Sequence, residues 1–143
     1  MVDVGDKPIT NREAVARGEI TMSRAAISAI RRRAVAKGDP LQAARLAAVM
    51  AAKQTATLIP LCHPLPLTHV GVELAPTSRG YRIEARVRTS AQTGVEMEAL
   101  VAVAVAALTI YDMVKAVDKT MVIGDICLVD KRGGRSGHYT RSP

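Results

Sequence analysis

The 143-residue sequence predicts an α+β fold in which an antiparallel sheet carries its helices on one face. Three observations lead there. Residues 81 to 89, YRIEARVRT, alternate without a break: Tyr81, Ile83, Ala85 and Val87 fall on one side, Arg82, Glu84, Arg86 and Arg88 on the other. That is a strand with one buried and one wet face. Asp39 followed by Pro40 starts a helix, with Asp39 as N-cap and Pro40 in the first helical position, where its missing N–H costs nothing. From Ala99 to Tyr111 thirteen residues carry no charge, and a helix with no polar face is buried on nearly all sides.

In chain order, residues 12 to 20, REAVARGEI, are short and mixed and are expected to form an edge strand. Thr21 or Ser23 caps a helix over MSRAAISAIRRRAVAKG, apolar at Ala25, Ile27, Ile30 and Ala34. Arg31 to Arg33 suit its C-terminus, and Gly38 stops it. The second helix is LQAARLAAVMAAKQ. Pro60, Pro64 and Pro66 make residues 58 to 67, LIPLCHPLPL, a rigid loop or edge segment. THVGVELA, residues 68 to 75, alternates and pairs with 81 to 89 through a turn at Pro76 to Gly80. Thr93-Gly-Val-Glu96 matches a capping box and places the start of the long helix near Thr93. Residues 121 to 129, MVIGDICLV, read as the last strand. The order strand, two helices, strand, strand, helix, strand is ferredoxin-like, with one extra helix in the first crossover. Residues 1 to 143 form one domain, and its Gly-rich basic tail, residues 130 to 143, is expected to be loose without ligand.

Composition narrows the function. Charge is +7, hydrophobic residues are 48% and charged residues 23%, which is a globular chain that favours an anionic partner. Single-strand and RNA binding rely on aromatic stacking platforms. This chain has no Phe, no Trp and three Tyr, so a small phosphorylated ligand gains weight over nucleic acid. No uncharged apolar stretch reaches the roughly 18 residues of a membrane span, and MVDVGDKPIT carries no signal-peptide core. Cys62 and Cys127 form no disulfide pattern, so a cytoplasmic location is expected.

Five groups can carry chemistry. Asp112 and Lys115 lie on one helical face. They read as a surface ion pair or, because the preceding run is uncharged, as a partly buried proton-transfer unit. Glu96 reads first as the capping-box acid, whereas Glu98 has no such duty and points well away from it. Fourteen residues separate Glu98 from Asp112, about 21 Å on a straight helix, so the two do not serve one small molecule within one chain. With an apolar middle that wants burial on both sides, a homo-oligomer with shared sites is expected. His63, set among prolines, reads as a positioned acid or base, or as a loop histidine. Cys62-His63 lacks the further ligands a metal needs. Arg12, Lys37, Lys131, Arg132 and Arg135 are candidate phosphate binders, and GGRSG, residues 133 to 137, can wrap a phosphate with backbone amides without being a Walker loop.

Taken together, LIPLCHPLPL, TGVEMEALVAVAVAALTIYDMVKAV and MVIGDICLVDKRGGRSG, with MVDVGDKP at the start and AKGD at residues 36 to 39, resemble the MoaC family, cyclic pyranopterin monophosphate synthases of molybdenum cofactor biosynthesis. The resemblance runs over essentially the whole chain. It implies an enzyme, a phosphorus–oxygen lyase, that converts 3′,8-cyclo-7,8-dihydro-GTP to cyclic pyranopterin monophosphate with release of pyrophosphate. It also implies a ferredoxin-like fold and a hexamer, a trimer of dimers, with sites at the dimer interfaces. Matched site positions are Lys37, His63, Glu96, Glu98, Asp112, Lys115 and Lys131, with Arg12 on the phosphate side. Leu61, Cys62, His63, Met97 and Glu98 lie in substrate-contacting stretches. Asp112, Lys115, Glu98 and His63 are the expected catalytic groups, and Asp112 matches the residue usually assigned as catalytic. Arg135 departs from the lysine common there, which keeps charge but changes donor geometry. No redox cofactor is required, and Mg²⁺ is compatible with the triphosphate. The competing classes are a nucleic-acid-binding ferredoxin-like module and a catalytically dead oligomeric scaffold.

Overall fold

The predicted hairpin organises the molecule. In the computed structural model, which describes residues 1–143, β2 (Leu67–Thr77) and β3 (Gly80–Ala91) pair antiparallel through the two-residue turn Ser78-Arg79. Pairing thus runs into the segment expected to be the turn, through Pro76 opposite Tyr81 and as far as Thr77 opposite Gly80. The proline is tolerated because β2 is an edge strand. Tyr81, Ile83, Ala85 and Val87 are buried as the alternation requires.

β1 (Thr10–Thr21) pairs on one side with β3 and on the other with β4 (Val122–Arg132), both antiparallel. The expected edge strand is therefore a central one, and it is longer at both ends. The sheet order is β2-β3-β1-β4-β5, where β5 is the short strand Tyr139–Thr140. The sequence of β1 looks mixed because three of its inward residues, Ala14, Ala16 and Gly18, are small, with Ile20 the one large apolar side chain on that face. Smallness is what the packing needs: a Cβ at Gly18 would stand 2.8 Å from Val103 Cγ1 and 3.0 Å from Ile126 Cγ1.

α4 (Glu96–Val114) lies across β1, β3 and β4, and α2 (Pro40–Lys53) packs beside it against β2. Ala99, Ala102, Val103, Ala106, Ala107 and Ile110 of α4 are buried with Ala44, Ala48 and Ala52 of α2; alanine on both surfaces lets the backbones approach closely. By length and composition α4 could span a bilayer, but here it forms the core of a sandwich. The opposite face of the sheet is wet and ion-paired. Arg17 meets Glu84 at 2.8 Å, and Arg86 and Arg88 both donate to Glu13. Burial tends to raise the Glu13 carboxyl, but Arg88 and Arg86 outweigh it and hold it low. This face carries no Phe, Tyr or Trp for a base to stack on, and His69, opposite Arg88, places an imidazole there.

Asp39 caps α2 as expected, accepting from the Leu41 and Gln42 N–H groups. The first helix is shorter than expected. Ser23 caps α1 (Arg24–Arg31), which ends at Arg31 rather than at Gly38. Arg33 takes φ +53°, Ala34 N bonds Ala29 O, and Arg33 N bonds Ile30 O. This is a Schellman cap with arginine in the left-handed position usually held by glycine. After α2, a single turn α3 (Thr55–Leu58) leads into the Pro-rich loop. The segment expected to be a loose tail starts inside the sheet: residues 130–132 complete β4, and Tyr139–Thr140 pairs back with Lys131 and Asp130.

One buried acid fastens the loop between α4 and β4. Asp118, 7% exposed, accepts from Thr120 Oγ1 at 2.7 Å, Thr120 N at 2.8 Å and Ser23 N at 2.7 Å. The hydrogen bonds from Thr120 and Ser23 hold its carboxyl down to about 2. A depressed folded pKa means stability that is present above the unfolded value near 3.9 and lost as pH falls through about 2. Asp118→Ala should therefore lower Tm at pH 7, and the difference from the parent chain should close near pH 2 in a thermal-unfolding series.

Candidate active site

The start of α4 and the Pro-rich loop enclose a cavity of about 550 Å³, lined by residues that include Leu61, Cys62, His63, Glu96, Met97 and Glu98. Glu98 is only 4% exposed. Burial raises its carboxyl above the ordinary range, and the charge of Glu96 adds to the effect. Burial, helped by Glu98, likewise raises the Cys62 thiol, so Cys62 stays neutral, as a hydrogen-bond donor rather than a thiolate. Glu96 and Glu98 were expected to point well apart. They share this cavity because its mouth is wide at the helix start, with Glu98 deep and Glu96 only partly covered.

The expected capping box does not form. The N-cap of α4 is Val95, with no side-chain hydrogen bond, and Glu96 is the first helical residue. Its carboxylate folds over Gly94, in the space a Cβ there would fill. Glu96 is thus free of structural duty, and it lines a second cavity as well as the first.

That second cavity, about 510 Å³, is walled by polar and charged side chains and glycine, with Pro8 its one apolar ring. Lys7, Arg12, Lys131 and Arg135 supply four cations against the single carboxylate of Glu96. Arg12 is held by β1 and by two carbonyls, with Nε on Ala91 O at 3.1 Å and Nη2 on Gln92 O at 3.0 Å. Lys131, on β4, donates to Gly133 O at 3.3 Å and to Ser136 Oγ. Gly134, at φ +75°, lies against the Arg12 guanidinium where a Cβ would collide, so both conformation and space call for glycine there. The two cavities meet across Lys7, Thr93, Gly94 and Glu96. The result is one cleft with an acid-bearing, partly apolar end and a cationic end.

Asp112, Lys115 and Lys37 line neither cavity. They meet at the far end of α4, where Asp112 Oδ1 accepts from Lys115 Nζ and Oδ2 from Lys37 Nζ, each at 2.7 Å. Partial burial was expected for Asp112 and Lys115. Instead their side chains are 55% and 50% exposed, because the inward positions of that turn belong to Ile110 and Val114. The hydrogen bonds from Lys115 and Lys37 hold Asp112 down to about 2, and Asp112 in turn raises Lys115.

The structure thus sorts the expected residues into two groups. Leu61, Cys62, His63, Met97, Glu98, Glu96, Arg12 and Lys131 share the cleft, while Lys37, Asp112 and Lys115 form a separate cluster. Lys7 was missed, along with Thr93; Ser136 belongs to the GGRSG stretch that was expected to wrap a phosphate. A lone lysine ahead of a proline carries no local signal, and it enters the site only because the N-terminal segment folds over the start of α4.

The model of the MoaC family matches residues 1–134. The chain belongs to the MoaC family. It is similar to the cyclic pyranopterin monophosphate synthases of Dinoroseobacter shibae, with 60% identity covering 97% of this chain and 89% of that protein, and of Chloroflexus aurantiacus, with 59% identity covering 99% and 88%. The relative from a Nostoc species is 58% identical over 97% of this chain and 84% of its own. The MoaC match takes in every cleft residue up to Gly134; Arg135 and Ser136 lie just beyond it.

Proposed function

We propose that this chain is a cyclic pyranopterin monophosphate synthase acting in molybdenum cofactor biosynthesis in the cytoplasm. It takes 3′,8-cyclo-7,8-dihydro-GTP and releases pyrophosphate. The observation that carries this reading is the two-ended cleft. A nucleotide-derived triphosphate has a ring system that needs proton transfer and a polyanionic tail that needs cations. The end with Glu98, Cys62 and His63 serves the first, and the end with Lys7, Arg12, Lys131 and Arg135 serves the second.

In the phosphoryl step a sugar hydroxyl attacks the innermost phosphorus, the bond to the outer two phosphates breaks, and the hydroxyl proton passes to a base. Fixed cations on the leaving pyrophosphate stabilise the charge that develops there. Ring opening needs a directed water and proton donors. Glu98, whose carboxyl burial raises above the ordinary range, is the buried acid at that end and suits proton transfer there. No hydride or electron moves, so the reading calls for no redox cofactor, and Mg²⁺ would arrive on the triphosphate oxygens.

Lys37, Asp112 and Lys115 complete the site from a second copy. On an unbroken α4, Asp112 stands about 21 Å from Glu98 of its own chain. Apolar side chains left exposed on the helical layer, Leu46, Met50 and Leu108, supply surface for assembly into a homohexamer built from dimers. The test is pyrophosphate release from the cyclised GTP intermediate, run on Asp112→Ala, Glu98→Ala and their mixture. Each variant alone should be inactive. Co-refolded, they should regain about one quarter of parental activity, the share of intact sites in a random dimer. No regain would place all the groups in one chain's site and overturn the shared-site reading.

A further inference from the structure

We infer that Asp130 is a positioning residue for the phosphate end of the cleft: it fastens the strap of residues 133–138 in place. The inference rests on the phosphate-end reading proposed above. Asp130 lines neither cavity. Its carboxylate, 19% exposed, closes the hairpin that delivers three residues of the cationic wall.

Oδ2 accepts from His138 Nε2 at 2.7 Å and from Thr140 Oγ1 at 3.0 Å, while Oδ1 accepts from Arg132 Nε at 3.2 Å. His138 lies at the end of the strap, Thr140 on β5 and Arg132 on β4. The backbone adds the pairing of Asp130 with Thr140 and the bond from Arg141 N to Val129 O at 2.8 Å. Between these anchors runs Gly133-Gly134-Arg135-Ser136-Gly137, with left-handed φ at all three glycines. Such a segment loses much conformational entropy when held in one shape. Gly134, Arg135 and Ser136 face the cationic cavity, and Lys131 reaches into the same strap through Ser136. Two of the three side chains that bind the Asp130 carboxylate, those of His138 and Thr140, lie beyond residues 1–134 that match the family.

When a binding-competent conformer is populated only part of the time, apparent affinity falls by that fraction. Removing the clasp should lower the closed fraction without touching a reacting group. Asp130→Ala should raise KM for the cyclised GTP intermediate about tenfold with kcat within about twofold. It should weaken binding of inorganic tripolyphosphate by the same factor in calorimetry on the full chain. His138→Ala, an exposed change that spares the sheet, should give a smaller shift in the same direction. Asp130→Asn keeps an acceptor and should recover most of the affinity. If Arg12→Ala releases tripolyphosphate but Asp130→Ala and His138→Ala bind it as the parent does, the clasp has no positioning role. If the parent chain itself fails to bind tripolyphosphate, the phosphate-end reading falls and the clasp falls with it.

Discussion

Asp112→Ala is expected to lower kcat by about 10³- to 10⁴-fold and to leave the fold of the chain unchanged. Asp112 is more than half exposed, and its only side-chain partners are two exposed lysines. Surface pairs of this kind contribute little to stability, so a loss of this size in turnover with an unchanged Tm locates the effect in chemistry. With its carboxyl near 2, Asp112 remains ionised throughout the working range and is not itself a proton donor. Its work is to hold the Lys115 and Lys37 ammonium groups side by side. Lys115, raised by that carboxylate, stays charged and can stabilise negative charge that develops beside it. Lys115→Ala should accordingly match Asp112→Ala in loss, and Asp112→Asn, which keeps shape but not charge, should recover little. The check is pyrophosphate release from the cyclised GTP intermediate, with thermal unfolding and sedimentation run alongside. Full activity in both alanine variants would remove this cluster from the mechanism.

Glu98→Gln is expected to lower turnover by about 10²- to 10³-fold while raising Tm at neutral pH. The two effects share one cause. Burial pushes the Glu98 carboxyl up, so its contribution to stability is fully present below the unfolded value near 4.3 and is lost as pH rises through the folded value. At pH 7 the folded chain therefore carries a buried charge that glutamine would relieve. The Tm gain should be largest near neutrality and vanish below about pH 4. A site that sacrifices stability for a titratable group is a common mark of function. A glutamine variant that turns over normally and melts below the parent at pH 7 would show Glu98 to be structural.

Some elements were legible because their signals are local. The alternation of Tyr81, Ile83, Ala85 and Val87 reports a sheet face directly, and Asp39-Pro40 reports a helix start through groups one to three residues apart. Acid and base residue types were likewise visible at Glu98, Asp112 and Lys115. Other readings failed where a local signal competed with a distant one. Arg33 ends α1 in a conformation that glycine usually takes, so the glycine at 38 was the natural stop to read. Thr93 and Glu96 have capping-box spacing, but Thr93 lines the cleft and Val95 sits at the cap.

From residue order alone follow the α+β class, the hairpin, the buried character of α4 and the conclusion that Glu98 and Asp112 serve different ends of it. These depend on periodicity and on rise per residue, which act over a few positions. The central place of β1, the release of Glu96 from capping, the recruitment of Lys7 and the split between the cleft and the Asp112 cluster came from three-dimensional packing. Each depends on how closely groups far apart in the chain approach, as at the Gly18 backbone against the Val103 side chain and the Gly134 backbone against the Arg12 guanidinium. That distance is set by side chains far apart in the chain, and no window of neighbouring residues contains it.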